Sequence, residues 1–348
     1  MSVTRVSIIV PFHRNLTLLR QVLAPFAERP AHIEVIVAAD GATEDWKPIA
    51  ASFGARWVEL SVRSGPAAAR NRGAEIAEGE ILVFVDGDVI AAPDAVARME
   101  ADLADPSITA VFGAYDEQPP EPGFFSQYKN LSHGYVHSTT GSRAATFWAG
   151  LGAVRAAAFR AVHGYDEWFD HPCIEDIEIG YRLTANGATI AVDPAIRGTH
   201  LKRWTLWSSV RSDIVDRGIP WTQLMIRVGA TNQGDLNLTR RLRLSVVVSY
   251  LLVLFALAGL WWPGAWLGVP AALAALVLLN REYYAYFLRV RGSWFAVRVV
   301  AAHVLHHLCN GISFAFGTVL FHARRMGLTL PGSLPLEPTR GGRRPMQA

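Results

Sequence analysis

The chain has 348 residues, enough for one large domain or two of ordinary size. Hydrophobic residues make up 51% of it and mean hydropathy is +0.20, with the apolar excess collected after residue 243. The formal net charge is only +3. The pI is near 9.0, but the arginines flank apolar segments and fill the tail without interleaved aromatics, which argues against nucleic acid and for a membrane partner. Cys173 and Cys309 stand far apart with no neighbour at metal or redox spacing, so a disulfide is not expected and a reducing compartment fits. The opening MSVTRVSIIVPFHR carries no signal-peptide cleavage pattern.

Residues 5–10 read as a buried strand closed by Pro11-Phe12-His13-Arg14-Asn15, with Asn15 placed to cap a helix bearing Leu16, Leu18, Leu19 and Val22 on one side. Residues 33–38 form a second strand ending in Ala39-Asp40-Gly41, and residues 56–60 a third. Gly65-Pro66 opens a strong helix containing Arg70 and Asn71. The run Ile81-Leu-Val-Phe-Val is then apolar without interruption, as in strands buried on both faces of a parallel sheet. This alternation of strand and helix with short connections predicts an α/β domain with a parallel, doubly wound sheet.

Polar residues gather where these strands end: His13, Arg14, Asp40, Asp86 and Asp88. Ligands of open α/β sheets bind beyond the carboxyl ends of the strands. Two carboxylates separated by a glycine can share one hard divalent cation, which in turn holds phosphate oxygens; the plain alternative is a solvated Asp-Gly turn. An acid after the second strand suits a ribose or base, and an arginine with a metal suits a diphosphate. Neither G-x-G-x-x-G nor G-x-x-x-x-G-K-[ST] occurs, which excludes the dinucleotide fingerprint and the P-loop.

Residues 174–185 form a further helix. At 100° per residue Glu175, Glu178 and Arg182 share a polar face, and Ile174, Ile177 and Tyr181 an apolar stripe. Asp176 falls between Ile179, Gly180 and Leu183, with Gly180 making room beside it. An acid on a partly apolar face is costly without a task or partner, although an acid at a helix start also favours the macrodipole.

The ordered set Val10-Pro11-Phe12-His13, Ala39-Asp40-Gly41, Gly65-Pro66 through Arg70-Asn71, Asp86-Gly87-Asp88, Ala149-Gly150, Gly164-Tyr165-Asp166-Glu167 and Glu175-Asp176 resembles the family 2 glycosyltransferases of the GT-A fold, over roughly residues 5–225. The resemblance implies a Rossmann-like mixed sheet, a nucleotide-diphosphate sugar donor and a divalent metal cofactor, Mn²⁺ or Mg²⁺. It implies that Pro11, Phe12, Asp40 and Arg70 contact the base or ribose, that Asp86 lies near the ribose and diphosphate, and that Asp88 binds the metal. The catalytic base would be Asp176, with Glu175 and Gly150 supporting it or touching the acceptor. His200-Leu201-Lys202-Arg203-Trp204 resembles the Gln-x-x-Arg-Trp of processive synthases, with His200 in place of the glutamine. That similarity implies a metal or diphosphate contact for His200, and donor or acceptor contacts for Arg203 and Trp204. The plain alternative is a hydrogen-bonded structural histidine. The missing glutamine and the few apolar segments argue against a processive synthase. His133 and His137 sit at i, i+4 spacing but in a Gly- and Ser-rich region, where a surface or lid role is expected.

Residues 244–262 are uncharged, nineteen in all, enough to span a hydrocarbon core of about 30 Å. Pro263-Gly264 turns the chain into a shorter apolar run, residues 265–279, interrupted by Pro270. Arg240, Arg241 and Arg243 precede this pair, and Arg281, Arg289 and Arg291 follow it, which predicts that both ends face the cytoplasm. A third segment, residues 294–321, carries Arg298, His303, His306, His307 and Asn310, and can span or lie in the interface.

The expected organisation is a catalytic domain over residues 1–235, a membrane anchor over 240–325 and a disordered tail over 326–348. The expected activity is inverting transfer of a sugar to a hydroxyl of a membrane-associated, lipid-linked glycan at the cytoplasmic face of the cell membrane, with no nucleic-acid partner. The alternatives are a polyprenyl-phosphate glycosyltransferase and a non-catalytic nucleotide-sugar-binding membrane scaffold.

Overall fold

The apolar runs of the first ninety or so residues lie side by side in the computed structural model, which describes residues 4–139, 141–229 and 239–338. Strands β1 (Val6–Phe12), β2 (Ile33–Asp40), β3 (Arg56–Leu60) and β4 (Ile81–Val85) pair in the order β3-β2-β1-β4, all parallel. Every residue of β4 is buried, because neighbours cover both faces of the sheet. Helices α1 (Leu16–Leu23), α2 (Lys47–Ser52) and α3 (Pro66–Ile76) connect these strands, and α3 packs on β1 and β2. Asn15 caps α1 as expected: its side-chain oxygen accepts from Leu18 N–H at 3.1 Å, with the backbone in the left-handed region at φ 78°.

The parallel arrangement ends at β4. Strand β5 (Val89–Ala91) follows at once, then α4 (Ala95–Leu103), β6 (Ala110–Tyr115), α5 (Phe124–Thr139), β7 (Arg143–Ala144), β8 (Leu151–Arg155), α6 (Ala156–Ala161), α7 (Glu175–Ala185) and β9 (Ile190–His200). β8 lies antiparallel between β4 and β6, β9 runs parallel to β6, and β5 and β7 pair antiparallel with β9. The sheet is therefore mixed, as the resemblance implied, with nine strands among the described residues, and the parallel pattern read from the first ninety or so residues is its β3-β2-β1-β4 half. The cause is local. After Val85 the chain crosses the backbone of β1, where a Cβ on Gly87 would stand 2.7 Å from the Pro11 carbonyl oxygen. It then restarts as β5 against the end of β9, with Val89 opposite His200.

Helix α7 is seated by contact with the 146–147 backbone. A Cβ on Gly180 would lie 2.2 Å from Phe147 N, and Thr184 Oγ1 donates to the Ala145 carbonyl at 3.1 Å. Gly180 thus makes room for main chain, not for Asp176 as the helical wheel implied. The region of His133 and His137, expected at the surface or in a lid, is the well-formed helix α5. His133 stacks on Tyr115 and His137 packs against Trp148, with ring centroids 6.2 and 4.7 Å apart.

The compact division of the chain falls between Arg203 and Trp204, earlier than the boundary expected near residue 235. The second unit holds α8 (Leu206–Arg211), a π-helical turn at Ser212–Asp216, α9 (Gly218–Val228), α10 (Arg240–Ala258), α11 (Gly268–Leu279), α12 (Arg281–Arg291) and α13 (Ser293–Arg325). α9 belongs here because it packs on α13, with Gly317 against Thr222 and the Ile219 carbonyl. α10 and α13 are long and apolar enough to cross a membrane. The short second run is not a straight span: α11 and the turn before it meet α12 at 78°. At the break, buried Asn280 donates to Ser245 Oγ at 2.9 Å and to the Leu276 carbonyl at 3.0 Å. Of the tail expected to be disordered, Leu334 is buried and donates its N–H to Gln223 Oε1 at 2.9 Å, while residues 339–348 lie outside those described.

Substituting Gly180→Ala is expected to destabilise the protein by about 1–3 kcal/mol through overpacking against main chain. Gly141→Ala, whose added methyl meets nothing within 4 Å, is expected to be silent. Thermal denaturation of the two purified variants checks the contrast.

Candidate active site

The site is organised by a buried cation. Arg70, near the start of α3, has a side chain 4% exposed. One terminal nitrogen donates to Asp86 Oδ1 at 2.5 Å and the other to Glu175 Oε1 at 2.9 Å. Its guanidinium lies 5.4 Å from the centre of the Tyr165 ring. The end of β4 and the first turn of α7, far apart in sequence, are therefore joined through one side chain. Burial works against the Arg70 charge, but Asp86 and Glu175 outweigh it and raise the guanidinium pKa. Burial also raises the Tyr165 hydroxyl well above its ordinary value; Arg70 opposes this, and Asp176, Glu175 and Asp86 add to it. All three acids thus act on one phenol. Arg70 Nε and Tyr165 Oη are buried without a hydrogen-bond partner, a condition that collects at functional sites.

The apolar stripe of α7, Ile174, Ile177 and Tyr181, is buried as the helical wheel predicts, but Glu175 and Glu178 are buried with it and Asp176 is half-exposed. Pairing explains the burial of the two glutamates. Glu178 is bonded to Arg182 at 2.9, 2.8 and 2.6 Å, Arg182 also donates to the Val162 carbonyl, and the second oxygen of Glu175 accepts from Cys173 N–H at 2.9 Å. A charge so compensated can be buried, and the acid expected on the apolar side is the one left facing outward. All three acids in this first turn also suit the helix dipole.

Sheet register places the second pair. Since Val89 pairs with His200, Asp88 lies beside the imidazole, with Oδ2 3.5 Å from Nε2, and Asp88 C=O accepts from Leu201 N–H at 2.8 Å. Burial pushes the Asp88 carboxyl up, but His200 and Lys202 together hold it below the ordinary carboxylate range. The other imidazole nitrogen, Nδ1, is 2.7 Å from Asn130 Oδ1, and the ring stacks on Tyr115 at 4.3 Å with planes 8° apart. A carboxylate oxygen and an imidazole nitrogen form a donor set suited to Mn²⁺, and their spacing is close to the ~3 Å between adjacent ligands of an octahedral ion. Among the described residues no set of three or more His, Cys, Asp or Glu is arranged for a metal.

The remaining expected residues fall as follows. Asp40 is buried and accepts from Ser64 N–H at 2.5 Å and Gly65 N–H at 2.9 Å, so both its oxygens anchor the loop before α3. His13 Nδ1 is 2.7 Å from the Asp40 carbonyl oxygen, which ties the ends of β1 and β2. Pro11 is half-buried, and Phe12 is buried 6.1 Å from the Trp46 ring. The Gly150 carbonyl accepts from Asp86 N–H at 3.1 Å, which holds the backbone at the end of β4. Arg203 is exposed and Trp204 buried, where one compact unit ends and the next begins. A cavity beside Val162, His163, Asp166, Arg182 and Asn186 opens toward the C-terminal end of α7 and contains none of Asp86, Asp88 or Asp176. Asn130, Tyr115 and Trp148 carried no signal in the sequence; Tyr165 stood within a quoted motif, but only its burial against Arg70 assigns it a part.

Removing Arg70 strands two carboxylates. Arg70→Met is expected to cost about 3–5 kcal/mol, and adding Glu175→Gln to recover part of it by removing a stranded charge. Chemical denaturation of the single and double variants measures both.

Residues 7–164 match the model of glycosyl transferase family 2. Two validoxylamine A glucosyltransferases, from Streptomyces hygroscopicus subsp. limoneus and subsp. jinggangensis strain 5008, are each 28% identical over 224 residues. The matches cover 53% of this chain and 49% and 53% of those proteins, so the chain spans about half the length of the curated relatives it matches. The mannosyltransferase PcManGT from Pyrobaculum calidifontis, solved with GDP-Man and Mn²⁺, shares the fold with a TM-score of 0.53 at 18% identity, over 92% of this chain and 88% of that one. With the mixed sheet, these matches show a GT-A fold and make residues 7–164 similar to glycosyl transferase family 2.

Proposed function

We propose that the protein is a membrane-anchored, metal-dependent, inverting glycosyltransferase that moves a sugar from a nucleotide diphosphate to a hydroxyl of a lipid-linked glycan. The observation that carries this reading is the convergence of Asp86, Glu175 and Asp176 around Arg70 and Tyr165, with Asp88 and His200 paired at the end of the same strand region.

Asp176 takes the proton from the acceptor hydroxyl as that oxygen attacks the anomeric carbon from the face opposite the diphosphate. It is suited to this because Glu175, its neighbour, is held by Arg70 while Asp176 stays half-exposed. One displacement of this kind inverts the anomeric configuration. Asp88 and His200 would hold the divalent cation, which supplies Lewis-acid stabilisation of the departing diphosphate. Electrostatics favour such an ion. Asp86 and Glu175 are paired with one shared cation, Arg70, and a diphosphate brings further negative charge to the same rim.

The anchor rests on α10 and α13 and on exposed apolar side chains along α10: Leu244, Val247, Leu251, Leu254 and Leu257. Placed in a bilayer, this stripe escapes the cost of hydrating apolar surface, about 25 cal/mol per Å². The bend at Asn280 leaves Arg281, Arg289 and Arg291 on a separate helix, α12, suited to the headgroup region on the same side as Arg240, Arg241 and Arg243. These arginines favour a catalytic domain at the cytoplasmic face of the cell membrane.

Purified protein in detergent is expected to hydrolyse at least one sugar nucleotide from a panel headed by GDP- and UDP-sugars, only with Mn²⁺ or Mg²⁺ present, and to lose this with EDTA. Asp176→Asn is expected to lower transfer by about 10²–10⁴-fold while donor binding persists. A non-catalytic scaffold would bind a donor with no turnover to lose. In membranes, the chain is expected to resist release by alkaline carbonate and to yield only to detergent.

A further inference from the structure

Asn130 lies within α5, completely buried, and its side chain meets β9 and the residues just after it. Its Nδ2 faces the Lys202 carbonyl oxygen at 3.5 Å, and its Oδ1 faces His200 Nδ1 at 2.7 Å. A main-chain carbonyl only accepts, so the amide must present its NH₂ there and its oxygen to the imidazole. That oxygen also only accepts, so His200 Nδ1 carries the hydrogen. With the hydrogen on Nδ1, Nε2 is the ring atom that can ligate a metal, and it stands 3.5 Å from Asp88 Oδ2. A cation between the two atoms would be held by both. Tyr115, stacked nearly parallel on the ring, keeps it in this plane.

We propose that Asn130 is the positioning residue of the metal site: it fixes His200 in the tautomer and orientation that leave Nε2 as a ligand. This rests on the reading of Asp88 and His200 as metal ligands. A neutral amide suits the task because it directs the imidazole without adding a further buried negative charge beside Asp88. Leucine has nearly the same volume but accepts no hydrogen bond; aspartate has nearly the same shape and keeps the accepting oxygen.

The test uses the full chain in detergent with Mn²⁺, alone and with UDP or GDP, followed by electron paramagnetic resonance for affinity and by spin-echo modulation for ¹⁴N of a coordinated imidazole. The wild type is expected to bind Mn²⁺ with a ¹⁴N signature that His200→Ala abolishes. Asn130→Leu is expected to lose most of that signature and to bind about 10–100-fold more weakly, whereas Asn130→Asp retains it. If Asn130→Leu keeps wild-type affinity and modulation, or if Asn130→Asp, which does not depend on the leucine variant folding, loses the modulation, the role of Asn130 is overturned. A wild type with no bound Mn²⁺, or a signature that survives His200→Ala, overturns the metal reading itself and this inference with it.

Discussion

A guanidinium almost wholly withdrawn from water is the constraint on which the catalytic unit depends. Taking one charge into a protein interior costs several kcal/mol, and it is tolerated only where opposite charge and hydrogen bonds replace the water. Arg70 meets that condition with one carboxylate from the end of β4, one from the start of α7 and the face of Tyr165. Each partner arrives from a different element. The arrangement exists only when β4, α3 and α7 are all in place, so the compensation of this charge and the assembly of the sheet rim are one event.

The rim itself is built mainly from main chain. Gly87 lets the chain pass over the Pro11 carbonyl, the Gly150 carbonyl holds Asp86 N–H, and the end of β9 holds Asp88 through Leu201. Asp40 applies the same device from a side chain, with both oxygens spent on the loop that leads into α3. Main-chain tethers of this kind fix where a residue stands without consuming its side chain. Asp88 is held in this way, which leaves its carboxylate for chemistry.

How much of this the sequence disclosed follows from how local each cause is. β1, β2 and β4 were legible because a strand buried on both faces is written as an apolar run, and Asn15 because capping is decided within four residues. The antiparallel entry of β8 was not, since its partners β4 and β6 lie far off in sequence and nothing in residues 151–155 states a direction. The wheel found the apolar stripe of α7 but put Glu175 and Glu178 outside, because it ranks side chains by polarity, while their burial was decided by Arg70 and Arg182. Asn130 was invisible for the same reason: a polar residue in a Ser- and Gly-containing segment gains meaning only when β9 delivers His200 to it. In the second unit the apolar length of α10 was plain, but the bend at Asn280 depends on a hydrogen bond to Ser245, thirty-five residues earlier.

The acids of the site form a gradient, and the gradient separates support from chemistry. Glu175, with a side chain 6% exposed, has both oxygens committed, one to Arg70 and one to Cys173 N–H. Asp86, at 29%, gives Oδ1 to Arg70. Asp88, at 32%, has His200 Nε2 3.5 Å away, a spacing too long for a strong hydrogen bond and wide enough to admit an ion. A carboxylate that is buried and saturated holds the fold whether or not a ligand is present. One that is fixed in place yet incompletely paired is stabilised further only by what arrives, and that difference is what a binding site consists of. In this chain it runs outward along a single rim, from Glu175 through Asp86 to Asp88.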